Sequence, residues 1–285
     1  MERRELHLCL VPHMEAFVSL LSRSDHLLHI VVHLLMSENA NQTAQAFTDV
    51  LAGYLFNEKL AALDDVASRD GALVLRLFQM LFGALTKHPA QLRGALQPRI
   101  CALVDRCLHH MASNPSPMGY VQVLRAVFRA LQGGRNVAHL KPMFATFLPA
   151  LEGTIRRLSA LLAGPCRRVP RASVVELLLM LPAELSDQLE HLRHLVRPLL
   201  LALRSTEDHV LSLGLKTLEF WIDNLNPEFL EMTMGDHQRA ILAALWDQLR
   251  PGQIGFSAKA LQILGKLGGR NRRVPRVRGG GRALV

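Results

Sequence analysis

The fold is decided by the stretch LRHLVRPLLLALRSTEDHVLSLGLKTLEFWIDNL, residues 192–225, in which two apolar helical segments flank a short polar break. A second segment with the same layout follows, ending at residue 267. An offset of 46 residues aligns Leu203 with Leu249, Val210 with Phe256, Leu215 with Leu261 and Leu218 with Leu264. A helical pair that recurs at such an interval is typical of hairpins that stack on one another.

The second helix of this stretch shows why the hairpins must stack. Its apolar residues form two adjoining stripes, one of which contains Val210, Gly214 and Trp221. A helix that is apolar over so much of its circumference must be covered by several neighbours. We therefore predict that Trp221 is buried. The glycine at position 214 is explained by close approach of the preceding helix, with a local bend of the helix as the alternative. The predicted fold is an all-α, HEAT/armadillo-like helical-repeat solenoid, a right-handed stack of about five or six hairpins.

The rest of the chain is predicted to be helical almost throughout, with a kink or division near Pro149. Outside the quoted stretch, helices are predicted over residues 13–36, 40–66, 70–87, 91–112, 118–131, 140–163, 172–181, 236–249 and 257–267. Three helix starts carry capping signals: Ser116 with Pro117 in the first helical position, Thr206, and Asn226 followed by Pro227.

Composition and charge narrow the functional classes. The chain is 49% hydrophobic and 5% aromatic, which is typical of packed helices rather than sheets. Its net charge of +9 comes from residues 250–285, which hold nine basic side chains and no acidic one, whereas residues 1–249 are electroneutral. Any attraction to nucleic acid therefore belongs to the tail and is non-specific.

Compartment signals favour the interior of the cell. The four cysteines (Cys9, Cys101, Cys107 and Cys166) show neither metal-ligand nor disulfide spacing. No apolar run reaches the roughly 18–20 residues that span a bilayer, and Pro12 interrupts the N-terminal apolar stretch too early for a signal peptide. We expect no membrane partner and a location in the cytosol or nucleus.

Possible metal or catalytic residues are scattered. His26, His29 and His33 have the spacing of one helix face, but their apolar neighbours favour an ordinary helix over a metal site. Cys101 and Cys107, near His109 and His110, are spaced so that the two thiols lie on different parts of a helix surface. We predict no metal and no cofactor.

No catalytic motif is present in the sequence. The run GKLGGR, residues 265–270, follows a helix rather than a strand and lacks phosphate-loop spacing, so we interpret it as a helix C-terminus. The nucleophile elbow and the kinase HRD and DFG motifs are missing, and His191 and His194 form no HExxH motif. We therefore predict a protein that is not an enzyme and has no small-molecule substrate.

A family resemblance rests on the order and spacing of five runs. These are NPSPMGYVQVLRAVFRALQGG (114–134), LMLPAELSDQLEHLRHLVRPLLLAL (179–203), LKTLEFWIDNLNPEFLE (215–231), ILAALWDQLRP (241–251) and ALQILGKLGGRNRR (260–273). Together they resemble the transformation/transcription domain-associated protein family. The matching HEAT-like region is assigned to residues 99–269, with further helical repeats over 1–98 and a basic, Gly/Arg-rich disordered tail over 270–285.

The resemblance implies a function that the pattern of residues alone does not. Members of the family are relatives of phosphatidylinositol 3-kinase-like kinases, built mainly of HEAT-type helices with a kinase fold that lacks catalytic residues. They are scaffold subunits of SAGA-type histone acetyltransferase complexes, and they receive transcriptional activators. The resemblance therefore implies a nuclear, non-catalytic scaffold whose partners are subunits of those complexes and transcriptional activators.

Two other functional classes remain open at this stage. An importin-like transport or assembly adaptor also uses helical repeats, although the electroneutral body differs from the acidic concave surface of such carriers. The arginines of the tail, including Arg272 and Arg273, suit nucleic-acid binding or a nuclear-localisation patch. Because the match stops abruptly at Arg273, we also hypothesise that residues 274–285 come from a retained intron or a truncated gene model, which sequencing of the transcript tests.

Overall fold

The computed structural model describes residues 8–36, 41–132, 137–164, 169–181, 189–249 and 254–269. Over these residues the chain is helical and contains no strand, as the sequence predicts. None of the described helices is long and apolar enough to cross a membrane. The chain divides into two compact units, Met1–Leu185 and Ser186–Val285. The predicted tail, 270–285, and Cys166 lie outside the described residues.

The first unit is a two-layer stack of helical hairpins. Its helices are α1 (Met14–Arg23), α2 (Leu28–Met36), α3 (Asn41–Asn57), α4 (Arg69–Lys87), α5 (Pro89–Leu96), α6 (Ile100–Ser113), α7 (Met118–Leu131), α8 (Val137–Ala163) and α9 (Arg171–Leu179). In one layer α1 contacts α3, α3 contacts α5, and both α5 and α6 contact α8. In the other layer α2 contacts α4, α4 contacts α7, and α7 contacts α9. Each hairpin thus contributes one helix, or one divided helix, to each layer.

Side-chain hydrogen bonds join successive hairpins at a nearly constant separation in sequence. The Arg106 guanidinium donates to the carbonyl of Phe56, 50 residues earlier. Gln132 Nε2 donates to the carbonyl oxygen of Met180, 48 residues later, at 2.9 Å. Buried carbonyls that lack a helical partner are costly unless they accept a hydrogen bond. These side chains therefore provide hydrogen bonds to backbone carbonyl groups at helix ends. They also fix the position of each hairpin relative to the next.

The second unit repeats the arrangement with two hairpins. Its helices are α10 (Leu189–Leu203), α11 (Asp208–Asn224), α12 (Pro227–Met234), α13 (Gln238–Asp247) and α14 (Ile254–Gly269). The first layer is formed by α10 against α12 and α13, and the second by α11 against α14. Gln248 Nε2 donates to the carbonyl oxygen of Leu203 at 3.2 Å, a separation of 45 residues. With the four hairpins of the first unit, the described residues contain six.

The two sequence predictions about α11 are confirmed. Trp221 is only 1% exposed, and Val210 and Leu218 on the same stripe are also buried. A Cβ added to Gly214 would lie 2.9 Å from the Cβ of Ala202 and 3.3 Å from the backbone nitrogen of Leu203. Glycine is therefore required here by the close approach of α10, since any side chain would push the two helices apart.

The predicted 46-residue register is wrong by one position at the last helix. Leu215 is buried, but its predicted equivalent Leu261 is 61% exposed, and the buried residues of α14 include Ala260 and Ile263. An offset of 45, the separation of the Gln248 hydrogen bond, aligns both with buried residues of α11.

Several predicted helices are divided in the structure. The predicted helix over 13–36 is two helices separated by a short 3-10 turn, Asp25–Leu27, and that over 91–112 is interrupted by the turn Gln97–Arg99. Pro98 lies in the second turn and lacks the N–H that a continuous helix needs. The helix predicted over 40–66 ends at Asn57 and is followed by the 3-10 segment Leu60–Asp65. By contrast, α8 runs through Pro142 and Pro149 without division.

Of the three predicted caps, one is confirmed. The side chain of Asn226 accepts a hydrogen bond from the backbone N–H of Glu228 at 2.9 Å. Thr206 is not the cap of α11, which begins at Asp208 after Ser205 Oγ accepts from the N–H of Glu207. Ser116 is not a cap either: the helix starts after Pro117, and the side chain of Asn114 accepts from the N–H of Ser116. In both cases a neighbouring side chain, Ser205 or Asn114, accepts a hydrogen bond in the turn before the helix. Ser and Asn side chains stabilise such turns by the same kind of hydrogen bond that they form as N-caps.

Candidate interaction surfaces

The histidines and cysteines considered as metal ligands are not gathered into a site. Among the described residues no group of three or more His, Cys, Asp or Glu side chains is placed to hold a metal ion. His26 lies in the 3-10 turn before α2, whereas His29 and His33 lie on α2, and all three are exposed. These residues therefore give no support to a metal-dependent function.

The two cysteines of α6 have structural roles. Cys107 is fully buried and Cys101 is half-buried. The thiol of Cys101 donates to the carbonyl oxygen of Thr146 at 3.3 Å. Burial raises the pKa of both thiols, so the reactive thiolate form is disfavoured. The imidazole of His110 stacks on the ring of Tyr120 with 4.8 Å between ring centroids. None of these groups is arranged for nucleophilic chemistry.

The glycine-rich run after residue 264 is helical. Helix α14 continues through Gly265 and Gly268 and ends at Gly269. Lys266, the residue that a phosphate loop would use, instead donates to Glu219 Oε1 at 2.9 Å and to Asp223 Oδ2 at 2.6 Å. Its charge thus serves to attach α14 to α11.

Glu219 is the centre of this attachment. It pairs with both Lys259 and Lys266, which lie seven residues apart on the same face of α14. Hydrogen bonds from Lys259 and then Lys266 lower the pKa of the Glu219 carboxyl, and burial opposes them only in part. A carboxylate with a lowered pKa stabilises the fold where it is ionised in both the folded and the unfolded states.

This arrangement predicts a pH-dependent effect of Glu219→Gln. Near pH 7 the substitution is expected to cost at most about 1 kcal/mol in unfolding free energy, because the ion pairs are partly solvated. The cost should disappear as the pH falls below the ordinary value of 4.5 and through the lowered pKa of Glu219, because the wild-type carboxyl is then also neutral. Urea unfolding at pH 7 and at pH 3 measures the difference. An effect of equal size at both pH values would contradict the role of the charge.

A candidate interaction surface is a groove between α4 and α7 in the first unit. We call it the α4/α7 groove; its volume is about 520 Å³. It is lined by Gln79, Phe82, Gly83, Thr86, Gln122, Arg125, Ala126 and Arg129. Gly83 and Ala126 have small or no side chains, so they leave space between two helices that otherwise pack closely. Gln79 Nε2 and Gln122 Oε1 lie 3.5 Å apart across it.

The α4/α7 groove is lined by two arginines, of which Arg125 has its charge balanced by Glu176, so that Arg129 supplies the positive charge of the groove. Arg125 and Arg129 lie one helical turn apart on α7, and the described residues that line the groove include no acidic one. The guanidinium of Arg125 contacts α9, where it pairs with Glu176 and donates to Ser173 Oγ at 3.3 Å. Arg129 is exposed. The sequence analysis did not predict this surface. A signal was present, because the polar and small lining residues recur at helical spacing on both helices and indicate a face that is not covered by the core.

Exposed apolar side chains are concentrated near the two ends of the described chain. The large ones are Leu8, Val11, Leu20 and Ile30 in the first unit, and Phe220, Met232, Trp246 and Leu261 in the second. Leu261 lies about 200° around α14 from Lys259, which contacts α11. Trp246 lies about 200° before Gln248, which contacts α10. Both side chains therefore lie on the side of the last hairpin that points away from its predecessor, where a further hairpin would stack.

Comparison with known proteins gives consistent matches. A family model described as the Tra1 HEAT repeat central region matches residues 1–252, a range that includes the N-terminal repeats. The transcription-associated protein 1 of Drosophila melanogaster is 34% identical over 232 residues, covering 81% of this chain and 6% of its own length. The transformation/transcription domain-associated protein of Homo sapiens is 31% identical over 272 residues, covering 95% of this chain and 7% of its own.

A yeast relative carries a more explicit name. The SAGA complex/NuA4 acetyltransferase complex subunit TRA1 of Saccharomyces cerevisiae is 31% identical over 250 residues, which is 86% of this chain and 6% of the yeast protein. The chain thus spans between 6% and 7% of the length of these three relatives. The matched part is a helical-repeat region.

Proposed function

This chain belongs to the Tra1 family, whose HEAT-repeat central region it matches, and on this premise we propose that it is a non-catalytic scaffold segment of a nuclear transcription coactivator. Its partners on this proposal are protein subunits of SAGA- and NuA4-type acetyltransferase complexes. The name of the yeast relative supports this, since that protein is described as a subunit of the SAGA and NuA4 acetyltransferase complexes. Stacked repeats also suit the role, because they expose a long surface at which each hairpin contacts only its neighbours.

We further propose that the α4/α7 groove receives transcriptional activators. The observation that carries this is the exposed guanidinium of Arg129, one helical turn from Arg125, beside small and apolar lining residues. Such a groove suits a segment in which acidic residues alternate with apolar ones, because carboxylates pair with guanidinium groups while apolar side chains reach the floor. The Arg125–Glu176 contact holds one guanidinium in place before the ligand arrives, which reduces the entropy lost on binding.

A binding experiment with matched variants tests the groove. The probe is a fluorescein-labelled peptide of alternating Asp/Glu and Phe/Leu residues, and the readout is fluorescence anisotropy with the full chain. Arg129→Glu should weaken binding about tenfold, because it removes one favourable charge contact and adds a repulsive one, each worth up to about 1 kcal/mol. Arg156→Glu, an exposed arginine on α8, is the control and should change the affinity little.

Gly83→Leu tests the shape of the groove independently of its charge. Nothing lies within 4 Å of a Cβ added at Gly83, so the new side chain can occupy the groove without clashing in the fold. Gly153→Leu on α8 is the matched control, since that position is also exposed and open. Loss of peptide binding with Gly83→Leu alone would support the proposal. Equal binding by Gly83→Leu and wild type, with the same peptide, would rule this groove out.

A further inference from the structure

An ion pair between α7 and α9 joins one arginine of the α4/α7 groove to a buried carboxylate. Arg125 lines the groove, and its guanidinium pairs with Glu176 and donates to Ser173 Oγ at 3.3 Å. Glu176 and Ser173 are each only 6% exposed, and α9 is otherwise built mainly of buried aliphatic residues. The carboxylate therefore lies in the interior, whereas the arginine extends from it to the groove.

Glu176 must keep its partner because it is buried. A carboxylate in an apolar interior is costly unless it is paired and hydrogen-bonded. Removing one member of a buried ion pair therefore costs much more than an exposed ion pair contributes. A ligand carboxylate at the groove surface would offer Arg125 only a partly solvated pair of the second kind. Arg125 is accordingly expected to stay with Glu176, and the two together present no net charge to a ligand.

Arg129 differs from Arg125 in its surroundings. It is exposed, and the described residues that line the groove include no acidic one. The two arginines are one turn of α7 apart, roughly 6 Å along the helix axis. Alternate side chains of an extended segment are roughly 6.6–6.8 Å apart, so two alternate acidic residues could reach both positions. Of the two carboxylates, only the one beside Arg129 would meet an unbalanced charge.

We propose that Glu176 is the specificity-determining residue of the α4/α7 groove and limits it to one ligand carboxylate, paired with Arg129. This inference rests on the proposal that the groove receives activator segments. A second carboxylate beside Arg125 would lose hydration without gaining a free positive charge. The position over Arg125 therefore suits a neutral or apolar side chain. A higher density of acidic residues in the bound segment should not raise its affinity.

Two peptides that differ in one functional group test this limit on the wild-type chain. The two-carboxylate peptide has two aspartates separated by one leucine and flanked by apolar residues. In the one-carboxylate peptide, asparagine replaces the second aspartate. Both are fluorescein-labelled, and the readout is fluorescence anisotropy with the full chain. We expect the two dissociation constants to differ by less than about twofold, because one carboxylate of either peptide can pair with Arg129.

A double-mutant cycle assigns the limit to the ion pair. Glu176→Gln keeps the shape and an accepting oxygen but releases the charge of Arg125. The variant should bind the two-carboxylate peptide about fivefold more tightly than the one-carboxylate peptide. Adding Arg125→Gln should return this ratio to the wild-type value, because the second guanidinium is then absent. A merely structural role of Glu176 would change the affinity for both peptides without changing the ratio.

Asp105→Asn is the matched control. Asp105 on α6 pairs with Arg157 on α8, so the substitution also removes one carboxylate and releases one arginine, but in the other helical layer. The ratio of the two dissociation constants should stay at the wild-type value. An equal rise of the ratio in Asp105→Asn and Glu176→Gln would overturn the proposal, since the effect would then come from net charge alone.

The wild-type measurement needs no variant and separates the two proposals about the groove. A preference of about fivefold or more for the two-carboxylate peptide on wild type would overturn the role of Glu176 and leave the activator proposal in place. An unchanged ratio in Glu176→Gln, with a thermal midpoint that shows a folded chain, would have the same meaning. Failure of both peptides to bind wild type would overturn the activator proposal and this inference with it.

Discussion

Trp221→Ala is expected to lower the free energy of unfolding by about 3–5 kcal/mol, the largest single-residue effect that we predict. The indole is 1% exposed on α11, a helix that packs against α10, α12 and α14. Truncation removes the transfer free energy of a large aromatic group and leaves a cavity that helices held on three sides cannot readily close. Urea unfolding followed by circular dichroism measures the change.

The neighbouring residue provides the control for this prediction. Phe220 is also aromatic and on the same helix, but it is 40% exposed. Phe220→Ala should therefore cost clearly less than Trp221→Ala, since less apolar surface returns to water and little or no cavity is formed. Equal costs for the two substitutions, or a nearly neutral Trp221→Ala, would mean that the buried face of α11 is wrongly placed.

Gly214→Leu is expected to destabilise the chain by about 1–3 kcal/mol. An added Cβ alone would stand 2.9 Å from the Cβ of Ala202 and 3.3 Å from the backbone of α10, so the two helices must separate to admit a leucine. Helix propensity acts in the opposite direction, since replacing glycine in a helix gains up to about 1 kcal/mol. The clash outweighs this gain because the contacts involve backbone, which cannot rotate away as a flexible side chain would.

Gly265→Leu separates the two effects. Gly265 lies within α14, is exposed, and has nothing within 4 Å of an added Cβ. Only helix propensity acts there, so the substitution should raise the urea midpoint by a small amount. If Gly214→Leu also raised the midpoint, the close approach of α10 to α11 would be refuted.

The sequence predicts the helical class and the close packing around α11 because both follow from local pattern. Val210, Leu218 and Trp221 recur at helical spacing, and a glycine within that stripe indicates a close neighbour. On α4, Leu73, Leu77, Leu81 and Leu85 recur at helical spacing and are likewise buried. A period of 3.6 residues and the cost of exposing apolar surface suffice for these conclusions.

Helix boundaries and surfaces were less predictable because they depend on tertiary contacts. Pro98 lies in a break between two helices whereas α8 continues through Pro142 and Pro149, so the presence of a proline does not by itself decide where a helix is interrupted. The predicted register of Leu261 is wrong by one residue, since an offset of 45 rather than 46 aligns the buried residues of α11 and α14. The α4/α7 groove arises only when the fold brings Gln79 beside Gln122, which is 43 residues later in the sequence. No local pattern encodes that pairing.

The central claim, a scaffold segment of acetyltransferase complexes, is tested most directly by purifying the tagged full chain from nuclear extract. Quantitative mass spectrometry should find subunits of SAGA- or NuA4-type complexes enriched over the tag alone. Gly83→Leu should retain those subunits and lose bound activators, because it closes the α4/α7 groove without disturbing the stack. Recovery of transport factors in place of acetyltransferase subunits, or no enrichment of those subunits, would contradict the account.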